Sequence, residues 1–364
     1  MKRRHGKVHV WVMVVLAVIA IGFYFWVSRS ARYYRARFFE QKQQSVGLAQ
    51  AAFEKVAGYR EELGVPVDTI DDPNQTGLVG VQYSQLTYGR NDLSDVLTTV
   101  NPNFSAALVE MLVEAGVRTG DKVGFSWDGT YPGLNIQLLA VAKSMDLDPV
   151  IITAQSAGMW GANYPGLTWV DIEALLRQAG LWDYGSRYAT LGGEADDGRG
   201  LSAEGRAVIA AACSSAGVEC FVPGSFEDAV KRRLETLEQV RALVSVGRVV
   251  PDIGSPLARV PSRVIFKPTP RVDSGGVIAA MLENRIPVVY LGNPSRVAID
   301  YGLPVAPVPL PEPGRGRLFR ERRYSVVLAA VLAVVLMALL WLVVRYDIEW
   351  YLGDRRPRPD QEAV

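Results

Sequence analysis

Apolar residues are distributed along this chain in two distinct ways. Residues 8–27 and 325–344 are uninterrupted apolar or aromatic runs of about twenty residues. At 1.5 Å per helical residue, each is long enough to cross a bilayer core of ~30 Å. Between them, short apolar runs alternate with stretches of 3- and 4-residue periodicity, which predicts strands alternating with helices. The clearest passage is residues 121–163, DKVGFSWDGTYPGLNIQLLAVAKSMDLDPVIITAQSAGMWGAN. It predicts a strand over 122–127, a turn at Gly129, Pro132 and Gly133, a helix to about Met145 and a buried strand over 149–153. That is one βαβ unit.

Further along, residues 79–86 and 263–266 are candidate strands, and a helix over 104–115 is stopped by Gly116. Thr168 with Asp171 resembles a capping box for a helix ending at Gly180. Strands follow at 186–191, 218–222, 243–246 and 287–291. Helices are expected from Ser202 to Ala216, from Ser225 to about Ala242, and over 274–284. The expected fold class is α/β: a Rossmann-like, mostly parallel sheet with helices on both faces, flanked by N- and C-terminal transmembrane helices. Expected boundaries are 1–28 (basic segment and span), 29–66 (helical stalk), 67–303 (α/β domain), 304–323 (Pro/Arg-rich connector), 324–345 (second span) and 346–364 (basic tail). The stalk is read as continuing the first span, with Val46, Ala49, Phe53, Val56 and Leu63 on one stripe that packs on its own domain or, as the alternative, on a second copy. The connector PVAPVPLPEP reads as polyproline-like.

The first run could be a cleaved signal peptide, but its apolar core is longer than usual and Arg29 interrupts the small-residue pattern after it. Two spans place both termini on one side of a membrane. Lys2, Arg3, Arg4 and Lys7 precede the first, and Arg345, Arg355, Arg356 and Arg358 follow the second. Arg29, Arg32, Arg35 and Arg37 with Arg315, Arg317, Arg320, Arg322 and Arg323 form collars on the other side. Weighed on short segments, the positive-inside rule favours an extracytoplasmic domain. The collars read as anchors against anionic headgroups, or as a guide for a polyanion along the membrane.

The net charge of +1 hides an asymmetry: residues 43–314 carry 21 Lys and Arg against 31 Asp and Glu, and the two ends carry 18 against 7. An acidic globule is a poor nucleic-acid binder. The chain's only histidines, His5 and His9, lie at the membrane end of the first span, which removes a Ser-His-Asp or Cys-His nucleophile and a His-ligated zinc from the globule. There is no P-loop motif, so ATP-driven ligation would have to come from another protein. Cys213 and Cys220 read as small buried hydrophobes, with a bridge conceivable outside the cytoplasm.

Polar residues gather where the predicted strands end, the place where open α/β sheets bind ligands. The ligand-binding candidates are Ser126, Asp128, Gly129, Asn135, Gln155, Ser156, Trp160, Asn163, Asp197 and Arg199. The Asp128-to-Gly133 turn can present free N–H groups to an anion, or serve as a plain capped turn. GRGLSA (198–203) fits G-x-G-x-x-A only weakly as a dinucleotide fingerprint. Glu194, Asp196 and Asp197 could hold a hard cation, though solvated loop carboxylates usually do not. No cofactor and no metal is expected.

Several stretches together resemble one family, the poly-γ-glutamate system protein of bacterial capsule or exopolymer synthesis and export. They are DDPNQTGLVGVQYS (71–84), NPNF (101–104), the Gly/Pro turn with Leu134-Asn135, PVIIT (149–153), MWGAN (159–163), LTWVDIEALLRQAGL (167–181), DDGRGLSAEGR (196–206) and YGLPVAPVPLPEPGRG (301–316). Residues 244–270 depart from the expected glycine/asparagine-richer turn. The resemblance implies a two-span accessory protein beside an ATP-dependent γ-glutamate ligase and its small membrane partner, and it carries over no catalytic residue. The bilayer, the synthase membrane components, the anionic polymer and a second copy of the chain are the expected partners. The rival readings are a polymer-cleaving or transferring enzyme using strand-end carboxylates or a Ser–Lys pair, and a ligand sensor.

Overall fold

The computed structural model describes residues 10–272 and 275–345. Lys2, Arg3, Arg4, His5, Lys7, Val8, His9, Ser274, Arg355, Arg356 and Arg358 lie outside the described residues. The chain forms two compact units, Met1–Arg35 with Arg320–Val364, and Ala36–Phe319.

In chain order, helix α1 (Val10–Arg29) is followed by the short strand β1 (Arg32–Arg35). Helices α2 (Phe39–Glu62), α3 (Leu93–Thr99) and α4 (Phe104–Glu114) precede β2 (Lys122–Trp127), α5 (Pro132–Ser144) and β3 (Asp148–Ala154). Next come a small hairpin, β4 (Asn163–Tyr164) and β5 (Leu167–Thr168), then α6 (Trp169–Gln178), β6 (Ser186–Thr190), α7 (Ala203–Ala216) and α8 (Phe226–Thr236). The globular part closes with β7 (Ala242–Val246), α9 (Val250–Ile253), β8 (Val264–Ile265), α10 (Val277–Glu283), β9 (Val288–Leu291) and α11 (Pro294–Tyr301). Strand β10 (Arg320–Arg323) and helix α12 (Val326–Arg345) end the described chain.

Helices α1 and α12 are each 20 residues long and apolar enough to cross a membrane. Helix α1 buries none of its side chains; an all-round apolar helix needs lipid or a core around it. Helices α3 and α4 are also apolar but meet at 85°, and Val96, Phe104, Leu108 and Met111 are buried in the globular core. The segment after α1 is not one continued helix, because β1 interrupts it and Phe38 takes a left-handed φ of 57° ahead of α2. Val46, Ala49, Phe53 and Val56 of α2 enter the core of the globular unit, while Leu63 is exposed. Burial of that stripe makes α2 part of the α/β body. Lys42, buried on the same helix, is held by Glu110 at 2.6 Å and the Leu318 carbonyl at 2.8 Å.

The main sheet has six strands in the order β6-β3-β2-β7-β9-β8, parallel except for β8. Alternation along the strands supplies two apolar faces. Phe125, Ile151, Val244 and Val289 face the core shared with α2, α4, α5 and α6. Ile152, Leu243, Val288 and Tyr290 face the core shared with α8, α9 and α10. The capping box at Thr168 and Asp171 forms, and Ser202 and Ser225 cap α7 and α8.

Two expected strands are absent. Residues 218–222 contribute one bridge, Cys220 to Ala189, and residues 79–86 form an irregular segment. The second is held by scattered bonds instead of a ladder: Gly80 N donates to Trp160 O (2.7 Å) and Trp160 N to Val81 O (2.9 Å), while Asn163 Oδ1 accepts from Val81 N (3.0 Å) and its Nδ2 donates to Val81 O (2.7 Å). The proline-rich segment is strapped to the globule. Ala306 N donates to Thr98 Oγ1 at 2.9 Å, Asn74 Nδ2 to Pro307 O at 2.8 Å and Asn103 Nδ2 to Glu312 O at 3.0 Å.

Candidate functional site

Strands β2 and β7 are neighbours, while the chain leaves β2 towards β3 on the opposite side. At such a reversal the connections diverge and a crevice opens beyond the carboxyl ends. A cleft of about 820 Å³ occupies this place, walled by residues 88–95, the turn after β2, the loop after β3 and the exits of β7 and β9.

Asp128 stands at its base. Its Oδ1 accepts from Thr130 N at 2.8 Å and its Oδ2 from Arg248 N at 3.2 Å. Gly247, at φ 80°, passes so close to this carboxylate that a Cβ would collide with it. Burial pushes the Asp128 carboxyl up to about 6, and the hydrogen bonds from Thr130 and Arg248 only partly offset that. Tyr131 OH donates to Asn91 Oδ1 at 2.9 Å, and Asn91 Nδ2 is a buried donor with no partner. Burial likewise raises the Tyr131 hydroxyl. Arg90 is exposed at the mouth without an ion pair among the described residues, and Arg248 gives its guanidinium to the Pro256 carbonyl at 2.6 Å. Trp160, at φ 59°, forms a wall and donates Nε1–H to Asp71 Oδ2 at 2.8 Å.

Beneath the strand ends, on the other face of the sheet, lies a closed ionic cluster. Arg233 donates to Asp196 through Nε (3.0 Å) and to Ser126 Oγ through Nη1 (2.7 Å), and lies 3.5 Å from Asp252. Ser245 Oγ donates to Asp252 at 2.8 Å. Burial alone would lower the Arg233 guanidinium, but the charges of Asp196 and Asp252 outweigh it and raise it. Burial raises Asp252 against the pull of Arg233. Ser126 is therefore a fully buried strut, enclosed by the groups it binds.

Of the residues singled out in the sequence, Asp128 and Trp160 line the cleft. Gly129 frames it by backbone bonds to Ser156 O (3.1 Å) and from Ala162 N (2.7 Å). Asn135 Nδ2 holds the Asp128 carbonyl at 2.9 Å, Ser156 Oγ accepts from Gly193 N at 3.2 Å, and Gln155 is buried with Oε1 unpartnered. Asp197 and Arg199 pair with each other at 3.0 Å on the 192–200 loop. Its glycines fold the loop on itself, with Gly198 N bonded to Gly192 O at 2.8 Å. Among the described residues no group of three His, Cys, Asp or Glu is placed to hold a metal. Sequence reading missed Arg90, Asn91 and Arg248, and took Tyr131 only as part of the Asp128-to-Gly133 turn. A signal was legible: Arg248 stands two residues past the expected strand 243–246, and residues 88–95 begin two residues past the candidate strand 79–86.

The arginine collars divide between the units. Arg29 ends α1, and Arg32, Arg35, Arg320, Arg322 and Arg323 lie on the antiparallel β1–β10 ribbon, which sets Arg32 opposite Arg323 and Arg35 opposite Arg320. Like charges directly opposed across a ribbon destabilise it, and Glu321 answers part of this by pairing with Arg323 at 2.7 Å. Arg37, Arg315 and Arg317 belong to the other unit.

Comparison with protein-family models, with curated proteins and with solved structures finds no match. What stands is the class defined by geometry: a mixed α/β protein with a mainly parallel six-stranded sheet, a polar cleft at its carboxyl edge, and two terminal helices long and apolar enough to span a membrane.

Proposed function

We propose that this protein is a two-span membrane component of poly-γ-glutamate synthesis and export, acting beside an ATP-dependent γ-glutamate ligase, with a Rossmann-like extracytoplasmic body that binds a small carboxylate-bearing ligand. One observation carries the reading: stretches that resemble that family, far apart in sequence, are bonded to one another beside and behind one wall of the cleft. Trp160 of MWGAN bonds Asp71 of DDPNQTG, Asn163 clamps Val81, and Thr130 Oγ1 of the Gly/Pro turn accepts from Gly158 N at 2.9 Å. The order β6-β3-β2-β7 supports the Rossmann-like reading, because a sheet that starts in the middle and grows both ways makes a crevice at its first strand. Arg90 and the unpartnered Asn91 amide at the mouth suit a carboxylate, with Arg248 tied to Pro256 O beside them and the carboxyls of Asp92, Asp95 and Asp128 restricting where it can sit. The acidic surplus over residues 43–314 disfavours nucleic acid, and disfavours an anionic polymer laid along the whole body. The arginine ribbon suits headgroups or a passing polymer chain.

Cells making the polymer should lose it when this protein is deleted. They should regain it with the wild-type chain and not with an Arg90→Ala/Arg248→Ala double variant. Undiminished polymer in the deletion strain would sink the proposal. A second reading, a polymer-cleaving or transferring enzyme, is favoured by Asp128, a cleft carboxyl poised near 6, where acid–base groups work. Asp128→Asn separates the two: the enzyme reading expects the chain-length distribution of the deletion, and the accessory reading expects the wild-type distribution.

A further inference from the structure

The chain has two cysteines, and the fold brings them together at the edge of the sheet. Cys213 lies buried in the last turn of α7. Gly217, at φ 67°, ends that helix in a left-handed turn, and Val218 N returns to the Cys213 carbonyl at 3.0 Å. The chain then runs beside the edge strand β6: Ala189 N donates to Glu219 O at 2.8 Å and Phe221 N to Ala189 O at 2.7 Å. One cysteine is thus fixed by a helix and the other by the sheet. Their sulfurs stand 3.0 Å apart, closer than two unbonded sulfurs rest in ordinary packing. Apolar burial of a thiol requires no such approach, and neither sulfur has another sulfur or a metal to serve.

We propose that Cys213 and Cys220 form an intramolecular disulfide in the mature protein, and that the α/β unit accordingly stands on the oxidising side of the membrane. The two sulfurs have distinct roles. Cys220 is half-buried and reachable, whereas Cys213 is enclosed. The hydrogen bond they share, with burial, raises the Cys213 thiol, and the same bond lowers that of Cys220, favouring its thiolate. The oxidant is a protein disulfide of the thioredoxin-like exchange class. The Cys220 thiolate attacks it, forming a mixed disulfide and releasing one oxidant thiol. Cys213 then attacks Cys220 Sγ and releases the second. Two electrons pass to the oxidant, which leaves as a dithiol carrying the two cysteine protons. Such pairs persist outside the cytoplasm and are kept reduced within it, so the bond also reports the side.

The test counts thiols in the full-length protein in the cells that naturally make it. Cells are acid-quenched, and the protein is denatured and tagged with a polyethylene-glycol maleimide with or without prior reduction. The disulfide predicts no tag before reduction and two after. It also predicts a 207–231 tryptic peptide, which contains both cysteines, lighter by two hydrogens. A Cys220→Ser variant should take one tag without reduction. Two tags on the unreduced wild type would overturn the proposal, as would one tag, or a blocked Cys213 in the Cys220→Ser chain.

Discussion

Replacing Asp128 with Asn should stabilise the globular unit at neutral pH, by an amount that vanishes in acid. The carboxyl is 8% exposed and titrates at about 6, against 3.8 for an unperturbed Asp. Between those values the folded state holds a proton that the unfolded state has released. Stability therefore falls as pH rises from about 4 to about 6, and stays lowered above that. At about 1.36 kcal/mol per unit, the ionised carboxylate costs the fold on the order of 3 kcal/mol at pH 7.5. Asn keeps an oxygen for Thr130 N and carries no charge, but its NH2 replaces the oxygen that accepts from Arg248 N, so part of that cost should be recovered. For a unit of this size the gain corresponds to a melting shift of roughly 2–5 °C. Circular-dichroism melts of the detergent-solubilised full chain, run from pH 4 to 8, make the comparison. Equal or lower melting of Asp128→Asn at pH 7.5, or a difference that does not shrink towards pH 4, would refute the reasoning.

Other expectations follow from buried contacts. Arg233→Met should destabilise the unit by about 3–5 kcal/mol, because Asp196 and Asp252 are left without their counter-charge; a urea melt with an unchanged midpoint would show the cluster to be idle. Asn163→Ala removes the clamp on Val81 and a 2.9 Å bond to Thr87, leaving the part-buried Val81 N–H unpaired while Val81 O keeps its bond from Trp160 N. A loss of about 2–4 kcal/mol is expected, with faster amide exchange confined at first to residues 79–88.

The chain's local grammar was largely readable. Strand β2 and helix α5 announce themselves by periodicity and by Pro132 at the helix start, and Thr168, Ser202 and Ser225 mark helix N-termini by their own hydrogen-bonding chemistry. Residues 79–86 misled, because an apolar alternating run looks like a strand whether or not a partner strand exists. Their partner is the irregular loop over residues 157–163, about eighty residues on, which meets them through scattered backbone bonds and the Asn163 side chain. The stalk was half legible: its stripe packs on the globule, the first of the two coverings it allowed, but the stripe did not show that β1 would break the helix away from α1.

What the sequence determined by itself is whatever depends on neighbours within a turn or a strand: two apolar runs of membrane length, the βαβ rhythm, the caps, and a globule without histidine. Only the tertiary structure decided that Asp128, Asn91, Arg90 and Arg248 share one cleft, that Ser126 is locked beneath it by Arg233, and that Cys213 meets Cys220. The physical reason is distance along the chain. Periodicity and capping act over a few residues, whereas the field and solvation that set the Asp128 proton come from segments up to about 120 residues apart, brought together only by burial of the shared core.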